Sequence, residues 1–349
     1  MTNRPDARSM IRLSSRCFAL EVDKRALVVT MACGLVIAML TILALGTGSY
    51  ALTSQQVLKA LTYGTTDDRL LAIVWEARVP RSVAAVLVGL ALGAAGCIFQ
   101  SISRNALGSP DIIGFTTGAA TGAIIHIIFI NAGALGTALA SLIGGLATAA
   151  LVYVLSLHGG ITGGYRLVLI GIGVSAMLTA LNTLMLARGH IDLAVKARMW
   201  LMGSLSQATW STIGPASVAT FVALGLICAC ARALTIMEMG DDEAQQLGVR
   251  VEHIRRLSTL GGVALTACAV AMAGPISFVA LAAAQIVRRL TASARVHVVS
   301  SAVMGAALLC GADLTAKSIP GPIAVPVGIL TGLIGGLYFI ALIARQRSV

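Results

Sequence analysis

The sequence SVAAVLVGLALGAAGCIFQS, residues 82–101, contains no charged side chain over its whole length. About 20 such residues in a helix cross the hydrocarbon core of a bilayer. Gly89, Gly93 and Gly96 recur in it at spacings of four and three, which places them on one helix face. Small residues on one face let helix backbones approach closely in lipid. The stretch therefore predicts a transmembrane helix that packs tightly against a neighbour.

The composition extends this interpretation to the whole chain. Of its 349 residues, 57% are hydrophobic and only 11% are charged, and the mean hydropathy is +0.91. Soluble domains carry about 25% charged residues, so we expect one integral membrane domain with lipid around it. The net charge of +11 comes from basic residues that stand singly or in pairs between apolar spans. That arrangement is typical of topology signals, and we expect no nucleic-acid partner.

We predict an all-α, polytopic membrane protein with about ten transmembrane helices. A cytoplasmic tail over residues 1–25 precedes a single transmembrane domain over 26–345. The predicted span 276–290 is short and could cross the membrane only in part. The first apolar span is too long for a signal peptide, so we expect it to be retained. The predicted spans are 26–46, 82–101, 111–131, 133–156, 166–187, 212–233, 258–274, 276–290, 298–316 and 324–344.

The basic residues predict that both termini lie inside the cell. With that orientation, eight of the 25 Lys and Arg residues face outward and the rest face inward, as the positive-inside rule requires. Residues 78–96 and 256–274 share five identities, from Arg78 with Arg256 to Gly96 with Gly274. They would run in opposite directions, as in inverted repeats. Chance in a chain rich in Ala and Gly is nearly as good an explanation.

Three features, two between the spans and one inside a span, could carry function. Arg78-Val-Pro-Arg81 forms a rigid basic pair, either as a headgroup anchor or as a docking point for an acidic partner. The inner loop 234–256 contains a predicted short helix, which begins at Asp241 or Asp242 and ends at Gly248. It either packs on a partner or is a solvated connector. Asp313 is a carboxylate inside a span, which is a functional candidate by default, although it could simply pair with Lys317.

Breaks in the helical pattern and missing motifs narrow the function classes. Helix breakers stand at Gly108–Asp111 and at Ala273–Phe278, and non-helical backbone in a membrane needs protein or a water-filled cavity around it. The sequence contains no nucleophile–base set, no HExxH and no GxxxxGK[ST] motif. We therefore expect no enzyme activity and no ATP hydrolysis by this chain itself.

The chain resembles the permease subunits of bacterial ABC importers for iron-siderophores, haem and cobalamin. Gln285 and the sequence of residues 108–115 are most similar to those of ferric-enterobactin-type permeases. The motifs follow the family order over nearly the whole chain: Arg78-Val-Pro-Arg81, Gly93-x-x-Gly96-x-x-x-Gln100, Arg104-Asn105-x-Leu107-Gly108-x-Pro110-Asp111-x-x-Gly114, Trp200-x-Met202-Gly203-Ser204-Leu205, Gly240–Gly248, Gly274-Pro275-Ile-x-Phe278-Val279, Ala312-Asp313-Leu314 and Pro326-Val-Gly328.

The resemblance implies a ten-helix fold and roles for three sets of residues. The ATPase-coupling helix would comprise Gly240, Asp241, Asp242, Glu243, Ala244, Leu247 and Gly248. Docking of a binding protein would use Arg78, Arg81 and Lys317. The cobalamin relative has arginine at the last position, and lysine keeps the charge but loses the bidentate geometry. The translocation path would involve Gly96, Gln100, Asn105, Pro110, Gly114, Gly274, Pro275 and Phe278.

The resemblance also implies a function and partners. The expected function is inward movement of a ferric siderophore by alternating access, in the cell (inner) membrane, with haem or cobalamin as alternative substrates. The expected partners are a second permease chain, an extracytoplasmic binding protein, and two ATPase subunits that hold ATP and Mg. The resemblance favours a heterodimer of two different permease chains over a homodimer. No cofactor is expected on this chain. An ion-coupled secondary transporter is the rival class, but the spans contain almost no carboxylates apart from Asp111 and Asp313.

Overall fold

The structure is a computed structural model, which describes residues 10–15, 18–48, 50, 52–62, 64, 67–158, 161–162, 164–319 and 325–346. Parts of the predicted cytoplasmic tail, residues 1–9 and 16–17, lie outside the described residues. The same holds for Ala324, the first residue of the last predicted span.

Helices dominate the described chain. In chain order the elements are β1 Met10–Ser15, β2 Phe18–Asp23, α1 Lys24–Gly46, α2 Ser54–Leu61, α3 Asp68–Ser103, α4 Pro110–Ile113, α5 Phe115–Ile130, α6 Gly133–Ser156, β3 Leu157–His158, β4 Ile161–Thr162, α7 Gly164–Arg188, α8 Ile191–Leu201, α9 Trp210–Met237, α10 Asp241–Gln246, α11 Val251–Ala273, α12 Val279–Thr291, α13 Val298–Ser318 and α14 Val327–Gln346.

The helical prediction holds for the membrane part, with two small exceptions to all-α. Strand β1 pairs antiparallel with β2, from Met10 opposite Asp23 to Ser15 opposite Phe18, and β3 pairs with β4. The first hairpin lies in the segment that the sequence predicted as a tail without strands. It ends where Asp23 caps α1 by accepting a hydrogen bond from the backbone N–H of Arg25 (2.9 Å).

Seven helices among the described residues are long and apolar enough to cross a membrane: α1, α3, α6, α7, α9, α11 and α13. Each of the ten predicted spans contains a helix, but α5 and α14 have shorter apolar parts, and α12 has 13 residues. A helix of that length rises about 20 Å, less than the hydrocarbon thickness. Ten crossings and the inward position of both termini therefore stay predictions.

The start of α3 corrects the sequence prediction. Residue 82 was expected to begin the span, but the helix begins at Asp68 and continues through Pro80. A proline removes one N–H and clashes with the preceding turn of an α-helix. Here a wider π-helical turn over Ile73–Arg78 stands directly before Val79 and Pro80 and accommodates the ring. Helix α8, in the connection 187–212, is also absent from the sequence prediction.

The core lies around α3 and α11, whose apolar windows are 83% and 72% buried. The glycine face of α3 makes this packing possible. A Cβ atom added at Gly89 would overlap the backbone of Ala306, and one at Gly93 would overlap the carbonyl oxygen of Ser301. Helix α13 therefore packs directly on the α3 backbone, as the spacing of the glycines predicted.

Candidate functional site

We call the end of the bundle that carries α10 the loop end, and the end that carries Arg78 the opposite end. The two breaks in the helical pattern that the sequence predicted are both present. The first break follows α3: Arg104 has a left-handed φ of 46°, and Asn105 Oδ1 accepts a hydrogen bond from the backbone N–H of Leu107 (2.9 Å). Pro110 then starts α4, and Gly114, with a φ of 91°, separates α4 from α5.

The second break lies between α11 and α12. Gly274 (φ 69°) and Phe278 (φ 67°) both adopt positive φ values, and Pro275 stands between them. Neighbouring backbone covers this segment: the N–H of Ser204 donates to the carbonyl of Ala273 (2.7 Å), and the N–H of Gly328 donates to Gly203 (3.1 Å). The α8–α9 connection and the start of α14 thus surround the non-helical backbone, as a membrane interior requires.

Two glutamines join the first break to α12. The amide nitrogen Nε2 of Gln285 donates to Oε1 of Gln100 (2.6 Å) and to the carbonyl of Ala106 (3.2 Å). Gln100 in turn donates to the carbonyl of Leu281 (3.1 Å) and is almost fully buried. Buried amides of this kind fix the relative position of the segments that they connect.

An open groove runs beside the first break. Its volume is about 640 Å³, and most of its wall is one face of α7. The hydroxyls of Thr179 and Thr183 donate to carbonyls one turn earlier in their own helix (2.8 and 2.9 Å). They therefore offer a mildly polar surface with no free donor. The lining residues are Asp111, Ile112, Ile172, Ser175, Ala176, Thr179, Ala180 and Thr183.

The predicted path residues do not line this groove. A Cβ at Gly96 would overlap the carbonyl oxygen of Ala280, so Gly96 serves the contact between α3 and α12. Pro110 and Gly114 flank Asp111 and shape the turn that brings its carboxylate to the groove. Sequence reasoning missed the α7 face, although Ser175, Thr179 and Thr183 recur every four residues within the predicted span 166–187.

Helix α10 has the position and charge that the sequence predicted for it. Its first turn carries three acids, Asp241, Asp242 and Glu243, where the helix dipole favours negative charge. Within the helix, Ala244 is fully buried, whereas Leu247, the next residue after the helix, is 64% exposed. Gly240 (φ 146°) precedes the helix, and Gly248 (φ 82°) follows it. Both glycines permit turns that other residues disfavour.

At the opposite end, Arg78 is buried. Its guanidinium donates to the carbonyls of Leu45 (2.5 Å) and Tyr50 and so holds the connection between α1 and α2. Arg78 is only 7% exposed, so it offers little surface to a partner, and its docking role stays a prediction.

The two other predicted docking residues share one carboxylate. Arg81 Nε donates to Asp313 Oδ1 (2.9 Å), and Lys317 Nζ lies 2.9 Å from Asp313 Oδ2. The side chains of Asp313 and Lys317 are only 3% and 7% exposed, and that of Arg81 is 17% exposed. The alternative in which Asp313 pairs with Lys317 is confirmed. Arg81 on α3 is an additional partner, so the three side chains join α3 to α13.

No metal site accompanies these features. Within the part of the chain that the structure describes, no group of three or more His, Cys, Asp or Glu side chains is placed to hold a metal ion.

Comparisons with known proteins agree with this arrangement. The ferric enterobactin permease FepG of Escherichia coli K12 is 40% identical over 302 residues, which cover 86% of this chain and 91% of FepG. The hemin permease HmuU of Yersinia pestis is 36% identical over 90% of this chain and 96% of its own length. The achromobactin permease CbrC of Dickeya dadantii is 36% identical over 91% of both chains.

A solved structure supports the fold. It is an inward-facing conformation of an ABC transporter of the metal-chelate type, 27% identical, and it superimposes with a TM-score of 0.80 over 90% of this chain and 98% of the other. The sequence profile of the FecCD transport family matches residues 35–345, nearly the whole chain. The groove, the two helix breaks and α10 are therefore parts of a multi-pass membrane permease, and the chain belongs to the FecCD transport family.

Proposed function

We propose that this permease moves a ferric siderophore inward by alternating access, as part of an ABC importer whose separate ATPase subunits bind ATP and Mg. The observation that carries the proposal is the 40% identity with a ferric enterobactin permease, over 86% of this chain. The α7 groove supports it. Its threonine hydroxyls already donate hydrogen bonds within their own helix, and a surface of such hydroxyls and of methyl groups suits a large chelate that must not bind tightly.

The partners follow from the two ends of the bundle. Helix α10, with its acidic first turn and exposed Leu247, is the proposed contact with an ATPase subunit. Under this proposal both termini lie inside, ten helices cross or enter the membrane, and the loop end is cytoplasmic. A second permease chain, in a heterodimer as in the ferric-enterobactin-type systems that the sequence resembles, completes the path.

A binding protein docks at the opposite end. Arg81 retains 17% exposure of its side chain and stands nearest to the surface among the three docking candidates. Because Asp313 already pairs with Arg81 and Lys317, a carboxylate on the binding protein must compete with Asp313 for these cations.

The test is transport by the complete importer in liposomes, with the ATPase, second permease and binding protein from the same organism. We expect ATP-dependent uptake of radiolabelled ferric enterobactin and a much lower rate for haem and cobalamin. Faster ATP-dependent uptake of haem would move the assignment to the substrate of HmuU. Uptake that stops with a proton uncoupler, and survives an ATPase inactivated at its nucleotide site, would instead indicate a secondary transporter.

The described carboxylates argue against that rival class. Asp313 is neutralised by two cations, and Asp111 accepts a hydrogen bond from the Thr116 hydroxyl (2.6 Å). Asp313 is additionally located in a buried ion cluster that joins two helices, away from the residues that line the groove.

A further inference from the structure

The loop end contains a cluster in which one carboxylate serves two arginines. Asp241, the first residue of α10, pairs through Oδ1 with Arg104 and through Oδ2 with Arg255 (2.7 Å). Arg255 also contacts Glu252 (3.2 Å), whose other oxygen accepts a hydrogen bond from Tyr153 (3.0 Å). The start of α10 is thereby attached to the end of α3, to α11 and to α6.

A second pair holds the entry to the same loop. Glu238 directly follows α9 and pairs with Arg288 in the last turn of α12. The segment from Glu238 to Asp241 thus has one ion pair at its first residue and two at its last, and these pairs lead to different helices.

Arg104 lies at the first helix break, and Arg288 lies in the last turn of α12, which packs against that break. Arg104 is the first non-helical residue of the first break, and Arg288 follows Gln285 by three residues on α12, the helix that begins at the second break. Gln285 contacts Ala106 inside the first break. A displacement of α10 therefore reaches the first break directly through Arg104, and also through α12.

The ion pairs of Arg104 and Arg288 contribute little to stability, whereas Arg255 is buried. The side chains of Arg104 and Arg288 are 43% and 40% exposed, and ion pairs at such positions typically contribute about 0–1 kcal/mol. Three loop-end arginines that meet carboxylates on one short segment are hard to explain as stabilisation alone. Positioning of that segment relative to the breaks is an explanation that the geometry supports.

We propose that Asp241 and Glu238, with Arg104, Arg255 and Arg288, are positioning residues that transmit the movement of α10 to the two helix breaks. This proposal rests on the proposed function, because it needs α10 to contact an ATPase. It differs from that function in naming the contacts inside this chain that carry the movement.

The experiment uses the Glu238–Arg288 pair, which can be exchanged. Glu238→Arg and Arg288→Glu are made singly and together in the complete importer, and ferric enterobactin imported per ATP hydrolysed is measured in liposomes. We expect each single variant to lower this ratio at least about fivefold, the lower range of couplings between sites, and the double variant to recover it. Arg289→Gln, at the exposed neighbouring position, is the matched control and should resemble the unsubstituted protein.

The outcomes separate the two proposals. No ATP-dependent uptake by the unsubstituted importer contradicts the proposed function. Normal uptake together with single variants that equal the control, or a double variant no better than the singles, overturns the positioning proposal alone. If the charge-reversed variants cannot be recovered from membranes, Glu238→Gln and Arg288→Gln are used instead. An unchanged import ratio in both of these variants also overturns the positioning proposal.

Asp241→Asn provides an independent measurement. It keeps the size of the side chain and removes the charge shared by Arg104 and Arg255. We expect ATP hydrolysis to continue while the import ratio falls at least about fivefold. An import ratio equal to that of the Arg289→Gln control would contradict the role of Asp241.

Discussion

The two ends of this permease use similar charges in different ways. At the opposite end, Arg78, Arg81 and Lys317 are buried or nearly so, and their partners are backbone carbonyls and the enclosed Asp313. At the loop end, Arg104 pairs with Asp241 and Arg288 with Glu238, and both arginines remain about two-fifths exposed. Buried charges cost much free energy when a partner is lost, whereas exposed pairs exchange partners at low cost.

The difference indicates a division of roles. We infer that the contacts at the opposite end stabilise the fold, whereas the exposed pairs of Arg104 and Arg288 at the loop end can rearrange when a partner binds. The following experiments test that division, ordered by the expected effect on the free energy of unfolding.

The largest effect is expected from Asp313→Ala. It leaves Arg81 and Lys317 without the carboxylate that both contact, and breaking a buried ion pair typically costs about 3–5 kcal/mol. Thermal unfolding of the purified protein in detergent measures the loss. Glu76→Ala, an exposed acid on the same helix as Arg81, is the control and should shift stability by less than about 0.5 kcal/mol. Equal shifts in both variants would show that the cluster is not stabilising.

A smaller loss is expected from Arg78→Gln, which removes the donors to Leu45 and Tyr50. Buried acceptors left without a donor cost about 1–3 kcal/mol. Thermal unfolding and faster proteolysis between α1 and α2 would report it, with the exposed Arg69→Gln as control. Unchanged stability together with weaker docking of the binding protein would favour the docking role instead.

Little change in stability is expected from the double variant Asp242→Lys and Glu243→Lys, because both side chains are exposed on α10. Surface substitutions usually stay within about 0.5 kcal/mol. ATP-driven uptake should nevertheless be lost, since the proposed ATPase contact reverses its charge. Arg256→Glu, an exposed charge reversal at the same end, should retain uptake. Normal uptake by the double variant would contradict the coupling role of α10.

The smallest effect concerns pH. His297 precedes α13 at the loop end, and burial lowers the pKa of its imidazole from 6.5; Arg295 acts in the same direction and Asp23 in the opposite one. The fold therefore favours the neutral ring. Its contribution to stability is complete above about pH 6.5 and declines as the pH falls from there through the lowered pKa. Unfolding temperatures from pH 8 to 5 should show a shallow decline that His297→Gln reduces; identical curves would contradict this role.

Local sequence patterns predicted much of the fold. The spacing of Gly89 and Gly93 predicted a packing face, and α13 lies against it. The acids and glycines around residues 240–248 predicted the short helix α10 with its correct ends. The start of α3 at Asp68, in contrast, was not predicted, because nothing in the local sequence showed that a π-helical turn would accommodate Pro80 within the helix.

The candidate site was harder to predict. The predicted path role of Gly96 stays a prediction, and the structure shows that Gly96 packs against α12, while the groove face of α7 carries only Ser, Thr, Ala and Ile, which occur throughout the chain. The pairing of Asp313 with Lys317 follows from a helical spacing of four residues. The contact with Arg81 does not, since 232 residues separate the two in sequence.

The sequence by itself determined that this is a helical membrane permease of a recognisable family, because apolar span length, charge placement and short motifs are local properties of the chain. Only the tertiary structure decided which small residues pack and which line a groove, and which arginines are buried and which remain available. Those distinctions depend on what each helix face meets, and long-range contacts such as Arg81 with Asp313 and Arg104 with Asp241 exist only once the bundle has formed.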